Sequence, residues 1–93
     1  MPASLSPERA EILGLDALAW LAAEPDGIGR FLEASGVSGA ELREAAGSPG
    51  LSVAIFDFLL AHEKLLLEFC QSSGTEPALV HRARNLLQPE AGA

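Results

Sequence analysis

ALAWLAAEPDGIGRFLEASGVSGAELREAA, residues 17–46, aligns without a gap on IFDFLLAHEKLLLEFCQSSGTEPALVHRAR, residues 55–84, at an offset of 38. Identities are few: Leu21/Leu59, Ala23/Ala61, Phe31/Phe69, Ser35/Ser73, Gly36/Gly74, Ala40/Ala78 and Ala45/Ala83. The alanine matches carry little weight in an Ala-rich chain; Phe31/Phe69 and the two Ser-Gly pairs carry more. Trp20 also falls on Phe58, Leu18 on Phe56 and Leu42 on Val80, so large apolar positions coincide. A shared period in this range is the signature of one small helical unit used twice. The match speaks to architecture and is silent on function.

Working outward, the pattern predicts six helices. Ser6-Pro7 opens the first, with an N-cap hydroxyl followed by proline where its missing N–H costs nothing, and Pro25 stops it after Glu24. Leu13, Ala17, Leu18 and Leu21 form one face, while Ile12, Leu15 and Trp20 spread around it, which predicts neighbours on several sides. Asp26 is expected to cap a short second helix that Gly36 ends. In Val37-Ser38-Gly39-Ala40-Glu41-Leu42, Ser38 and Glu41 fit a capping box and Val37 with Leu42 a hydrophobic staple; this third helix is expected to end at Gly47.

Ser48-Pro49 opens the fourth helix by the device of the first. Leu51, Val53, Ile55, Phe56, Phe58, Leu59 and Leu60 make it apolar nearly all round, with Asp57, Ala54 and Ala61 on a narrow strip, so it is the predicted central helix. The fifth, Glu63 to Ser73, points Leu65, Leu66, Phe69 and Cys70 inward, leaves Leu67 off that face, and stops at Gly74. The sixth runs from Thr75–Pro77 to Leu87, with Leu79, Val80, Ala83, Leu86 and Leu87 against His81, Arg82, Arg84 and Asn85. No segment alternates with period two long enough for a strand. The expectation is an all-α compact bundle of about six helices, two similar three-helix units in tandem packed through helices one and four. Residues 6–87 form its single domain, and 1–5 and 88–93 are expected to be disordered.

Ninety-three residues suit one domain, and 48% hydrophobic residues suffice for a core. With four Phe, one Trp and no Tyr, that core must come mostly from Leu, Ile, Val and Ala. Cys70 is the only cysteine, which excludes an intramolecular disulfide and fits a reducing cytoplasm. MPASLSPERAE lacks the basic and apolar regions of a signal peptide, and no apolar run approaches the ~18 residues of a membrane helix. The formal charge of −7 is concentrated in residues 1–50, with eight acids against three bases. Such a field repels phosphate backbones and anionic membranes.

The blocks ALAWLA, RFLEASGV and FDFLLAHEKLLLEFC, with the spacing to ALVHRARNLL, are core-and-turn patterns. Together they resemble an alphaproteobacterial family, the domain of unknown function 3572, over about residues 8–87. The resemblance implies an all-helical cytoplasmic protein with no established activity and supplies no catalytic residue. It also points loosely to two-component signalling proteins as the setting of a partner.

Little in the chain points to chemistry. His62, Cys70 and His81 are the soft metal ligands, but their spacing resembles no paired ligand motif, so no metal site is expected. Cys70 reads as a small core hydrophobe rather than an activated nucleophile. Gly27-Ile28-Gly29 and Gly47-Ser48-Pro49-Gly50 follow no strand and lack a phosphate-binding lysine, so they read as turns. No catalytic residue and no cofactor is assigned, and the chain is not expected to be an enzyme.

The alternative is DNA binding. Residues 28–46 and 66–84 each read like a helix-turn-helix, and residues 75–87 would be the recognition helix, offering His81, Arg82, Arg84 and Asn85. Glu41, Glu44, the bulk of Leu32 and the net charge oppose it. The reading adopted is a non-catalytic, small acidic protein-interaction module or regulator, linked through the resemblance to bacterial signalling. A protein partner is expected, nucleic acid and membrane are not, and a homo-oligomer is left open. Leu67, Arg82 and Arg84 are the candidate contact residues.

Overall fold

Serine and proline start α1 as their chemistry dictates: Ser6 Oγ accepts from the Arg9 N–H, and Pro7 takes the first helical position. A computed structural model describes residues 5–46 and 48–88. The expected disorder of residues 1–4 and 89–93, and the expected stop at Gly47, lie outside the described residues. Leu5 is half-buried against the core, and Gln88 is the C-cap of the last helix.

Six helices run in the order α1 Pro7–Ala23, α2 Gly27–Ser35, α3 Gly39–Ala45, α4 Pro49–Ala61, α5 Glu63–Ser73 and α6 Pro77–Leu87, with no strand among the described residues. The fold is an all-α bundle. Ser38 and Glu41 close the capping box on α3, each side chain accepting from the other's backbone N–H at 3.1 and 2.9 Å. Ser48 caps α4 through the Leu51 N–H. Gly36 and Gly74 end α2 and α5 in the left-handed region, at φ 77° and 72°, where a side chain would be strained. Asp26 departs from expectation. It stands at the N-cap of α2 with φ 64° and gives no side-chain cap bond, so it serves the chain reversal instead.

α1, α4 and α6 form the centre, each packed on the other two; α2 lies against α1 and α4, α5 against α4 and α6, and α3 chiefly against α4. α4 buries seven of its thirteen residues, Leu51, Ser52, Val53, Ile55, Phe56, Phe58 and Leu59, as expected of a helix apolar on all sides. α1 meets it with a line of small residues, Ala10, Gly14 and Ala17, all buried. At Gly14 the backbones come so close that an added Cβ would stand 2.6 Å from Ser52 Cβ.

The side-chain pairing follows the offset of 38. Trp20 packs edge-on against Phe69 with centroids 5.8 Å apart, and Phe31 packs edge-on against Phe58 at 5.5 Å. Shifting one pair by 38 residues, forward for one member and back for the other, produces the second pair. Gly14 likewise faces its own counterpart, Ser52. These contacts join positions that the offset of 38 exchanges. The third helix of each half departs from it. α6 is eleven residues long and buries Val80 and Ala83, whereas α3 has seven residues and buries none.

Two further expectations are corrected. Ile12 and Leu15 are not enclosed by neighbours; they are 53% and 45% exposed on the outer side of α1. Leu86 sits at the exposed rim of α6 rather than inside. None of the described helices is long and apolar enough to cross a membrane.

Candidate functional site

The basic face of α6 is shaped by an ion pair that the sequence did not announce. Arg84 forks onto Asp57 of α4, with Nε 2.7 Å from Oδ1 and Nη2 3.4 Å from Oδ2. The bidentate geometry fixes α6 against α4. Both side chains are partly solvated, so its contribution to stability is modest. Asp57 is exposed, as the polar strip required, but its role is to hold Arg84. Arg82, His81 and Asn85 are exposed on α6, and Arg82 and Asn85 border a shallow depression with Leu5 and Leu86. Leu67 is 50% exposed on the outer face of α5, one helical turn from Lys64 and Gln71. It lies on a different element from Arg82 and Arg84.

His62 occupies the single-residue junction of α4 and α5. Its Nδ1 donates to the Phe58 carbonyl at 2.8 Å and its ring lies against the Phe58 ring at 4.5 Å. A cleft of about 450 Å³ beside it is lined by Ser35, Asp57, Phe58 and alanines 34, 54 and 61. Ser35 spends its Oγ on the Val37 N–H and Asp57 is held by Arg84, so the hydroxyl, imidazole and carboxylate are not linked into a relay. His62, Cys70 and His81 are not brought together, and among the described residues no group of three or more His, Cys, Asp or Glu is placed to hold a metal.

Cys70 is 6% exposed within the core, and burial pushes its thiol up from the ordinary 9.0 because the thiolate would lose hydration. A protonated, enclosed thiol is a poor nucleophile.

An apolar concavity lies between α1, α2 and α3. Leu18 and Ala22 of α1, Ile28 and Leu32 of α2, and Leu42 of α3 line a groove of about 350 Å³, with Arg43 at its edge. α1 continues the surface outward through Leu15 and Ile12, which precede Leu18 and Leu15 by one helical turn. The sequence pattern predicts neighbours around Ile12 and Leu15, puts Leu18 on the inner face of α1 and makes Leu42 the staple partner of Val37; Leu18 and Leu42 are half-buried against the core. The signal that marks the groove is the size difference between the halves: Leu18 stands where Phe56 does, and Ala22 where Leu60 does.

No curated protein and no solved structure matches the chain. Residues 7–90 match the model of a family described as protein of unknown function DUF3572, and with nearly the whole chain covered, the protein belongs to that family.

Proposed function

We propose that this chain is a non-catalytic, acidic protein-interaction module or regulator. The observation that carries the reading is the outer side of α1. Ile12 and Leu15 are about half exposed on a helix whose opposite side is locked to α4 and α6. Large aliphatic side chains grouped beside an apolar groove on a charged protein mark a contact surface. The charge of −7 disfavours phosphate-rich partners and favours a protein. A cytoplasmic setting fits the single reduced thiol. A regulatory role in bacterial two-component signalling is the finer form of the proposal and rests on the family resemblance alone.

The test is chemical cross-linking in the native host followed by affinity purification of the tagged chain, beside an Ile12→Asp, Leu15→Asp variant. Both positions are exposed, so the fold should survive. A discrete protein partner retained by the wild type and lost by the variant is expected. A competitor-resistant mobility shift on genomic DNA, abolished by Arg82→Glu, would replace this reading with the helix-turn-helix one.

A further inference from the structure

The groove between α1, α2 and α3 can be read against its own counterpart. Moved by 38 residues, its lining becomes Phe56, Leu60, Leu66, Cys70 and Val80. There Phe56, Leu66, Cys70 and Val80 are buried, and α6 lies close on both α1 and α4. In the first half Leu18, Ile28, Leu32 and Leu42 are only half-buried and α3 has no fully buried residue. The cause is volume. A leucine replaces a phenylalanine and an alanine replaces a leucine on α1, and Leu32 in place of Cys70 with Leu42 in place of Val80 restores about half of the loss. The net deficit across this lining is about the size of one isopropyl group.

Charge decides what can supply it. From Asp16 to Ala46 the segment around the groove carries six acids against two bases, Arg30 and Arg43, and Arg43 is the charged residue on the lining itself. A second copy of the chain would bring a charge of −7 to this surface, and like charges facing each other disfavour it. We infer that the α1–α2–α3 groove receives one face of a basic amphipathic helix, which lays leucine-sized side chains beside Leu18 and Ala22. Apolar anchors one turn apart enter the groove and extend along Leu15 and Ile12, while lysines or arginines on the flanks meet the acids. This assignment rests on the interaction-module reading and names its surface and partner chemistry.

The experiment uses the full chain, isotope-labelled for NMR, and a synthetic helix of about fourteen residues with leucines at every third or fourth position and lysines between them. A matched peptide carries glutamates in place of the lysines. Amide shifts concentrated on Leu18, Ala22, Ile28, Leu32 and Leu42, with the lysine peptide bound and the glutamate peptide not, are expected. Filling the groove with its counterpart's side chains, Leu18→Phe with Ala22→Leu, should weaken binding about tenfold or more. Should that variant misfold, Ala22→Lys at an exposed position is the second, placing a cation against the peptide's own.

Shifts mapping elsewhere, binding unchanged by filling or by Ala22→Lys, or equal binding of the glutamate peptide each overturn the assignment. So does a concentration-dependent dimer in sedimentation that groove filling abolishes. A native protein that cross-links to Ile12 and Leu15 while the lysine peptide fails would leave the module reading standing and remove only the groove.

Discussion

Replacing Gly14 with alanine strikes the crossing on which the bundle is built. The new Cβ would stand 2.6 Å from Ser52 Cβ and 3.3 Å from Ser52 Cα, with Ser52 Oγ nearer still. The hydroxyl can rotate away, but Cβ and Cα can retreat only if α1 and α4 separate. Overpacking of this kind costs about 1–3 kcal/mol, and contact with backbone-anchored atoms puts this case in the upper half of that range. Against it runs the helix preference for alanine over glycine, worth about 1 kcal/mol. The net expectation is a loss of about 1–2 kcal/mol, a fall in Tm of about 4–16 °C for a domain of this size.

The partner position supplies the control. Ser52→Gly empties the space that the new methyl needs, so the Gly14→Ala, Ser52→Gly double variant should recover most of the loss. The coupling between the two sites should then reach about 1 kcal/mol or more. Urea and thermal unfolding followed by far-UV circular dichroism measure all four proteins. A Gly14→Ala variant as stable as the wild type, or a double variant no better than the sum of the singles, would refute the claim that contact at this crossing sets the helix separation.

Gly36→Ala and Gly74→Ala meet open space but force φ of 77° and 72° on a side chain, so each should cost about 1 kcal/mol in urea unfolding. Ser38→Ala removes half of the capping box and should cost about 1 kcal/mol, read as faster amide exchange across residues 39–45 because no residue of α3 is fully buried. Arg84→Glu sets a second carboxylate beside Asp57 and should lower stability by about 1 kcal/mol or less, whereas Arg82→Glu, measured in the same unfolding assay, should leave it unchanged. Cys70 should label slowly with thiol reagents in native buffer and fast in denaturant. Its folded pKa is raised, so the thiol contributes its full stability below the unfolded value near 9. As pH rises beyond that, the unfolded chain releases the proton first and stability falls; unfolding at pH 8 and pH 10 checks the sign.

The helices were legible because their ends are local chemistry. Ser6-Pro7, Ser48-Pro49, the Ser38/Glu41 box, Gly36 and Gly74 each act within four residues, and the structure uses each as its type dictates. Asp26 misled because a residue type that caps helices is also one that tolerates positive φ, and the tight reversal before the buried Gly27 selected the second property. The central place of α4 followed from apolarity on every side. The same rule overreached on α1, where breadth of apolar residues marks a face left uncovered at Ile12 and Leu15. Periodicity says which residues are apolar, and only the placement of other helices says whether they are covered. The Asp57–Arg84 fork joins residues 27 apart on two different helices, with no local pattern to tie them. Of the candidate contacts, Leu67 and Arg82 are exposed on separate elements and Arg84 is committed to α4.

The α1 groove became visible only by setting the two halves against each other. An alignment scores Leu18/Phe56 and Ala22/Leu60 as conservative, since all four are apolar. In a packed interior the same differences are decisive, because deleted methylenes leave space that surrounding side chains close only in part. α3 cannot close it. It has seven residues, and Leu42 is its one large aliphatic side chain, against Leu79, Val80, Leu86 and Leu87 on α6. A helix this short is marginal without packing, so α3 depends on whatever else covers Leu42. Binding in the groove and ordering of α3 should therefore rise together: a peptide that fills the space beside Leu18 and Ala22 should slow amide exchange across residues 39–45. Groove filling by Leu18→Phe and Ala22→Leu should do the same with no peptide present. Slowed exchange in the filled variant but none with bound peptide would place the peptide somewhere other than this groove.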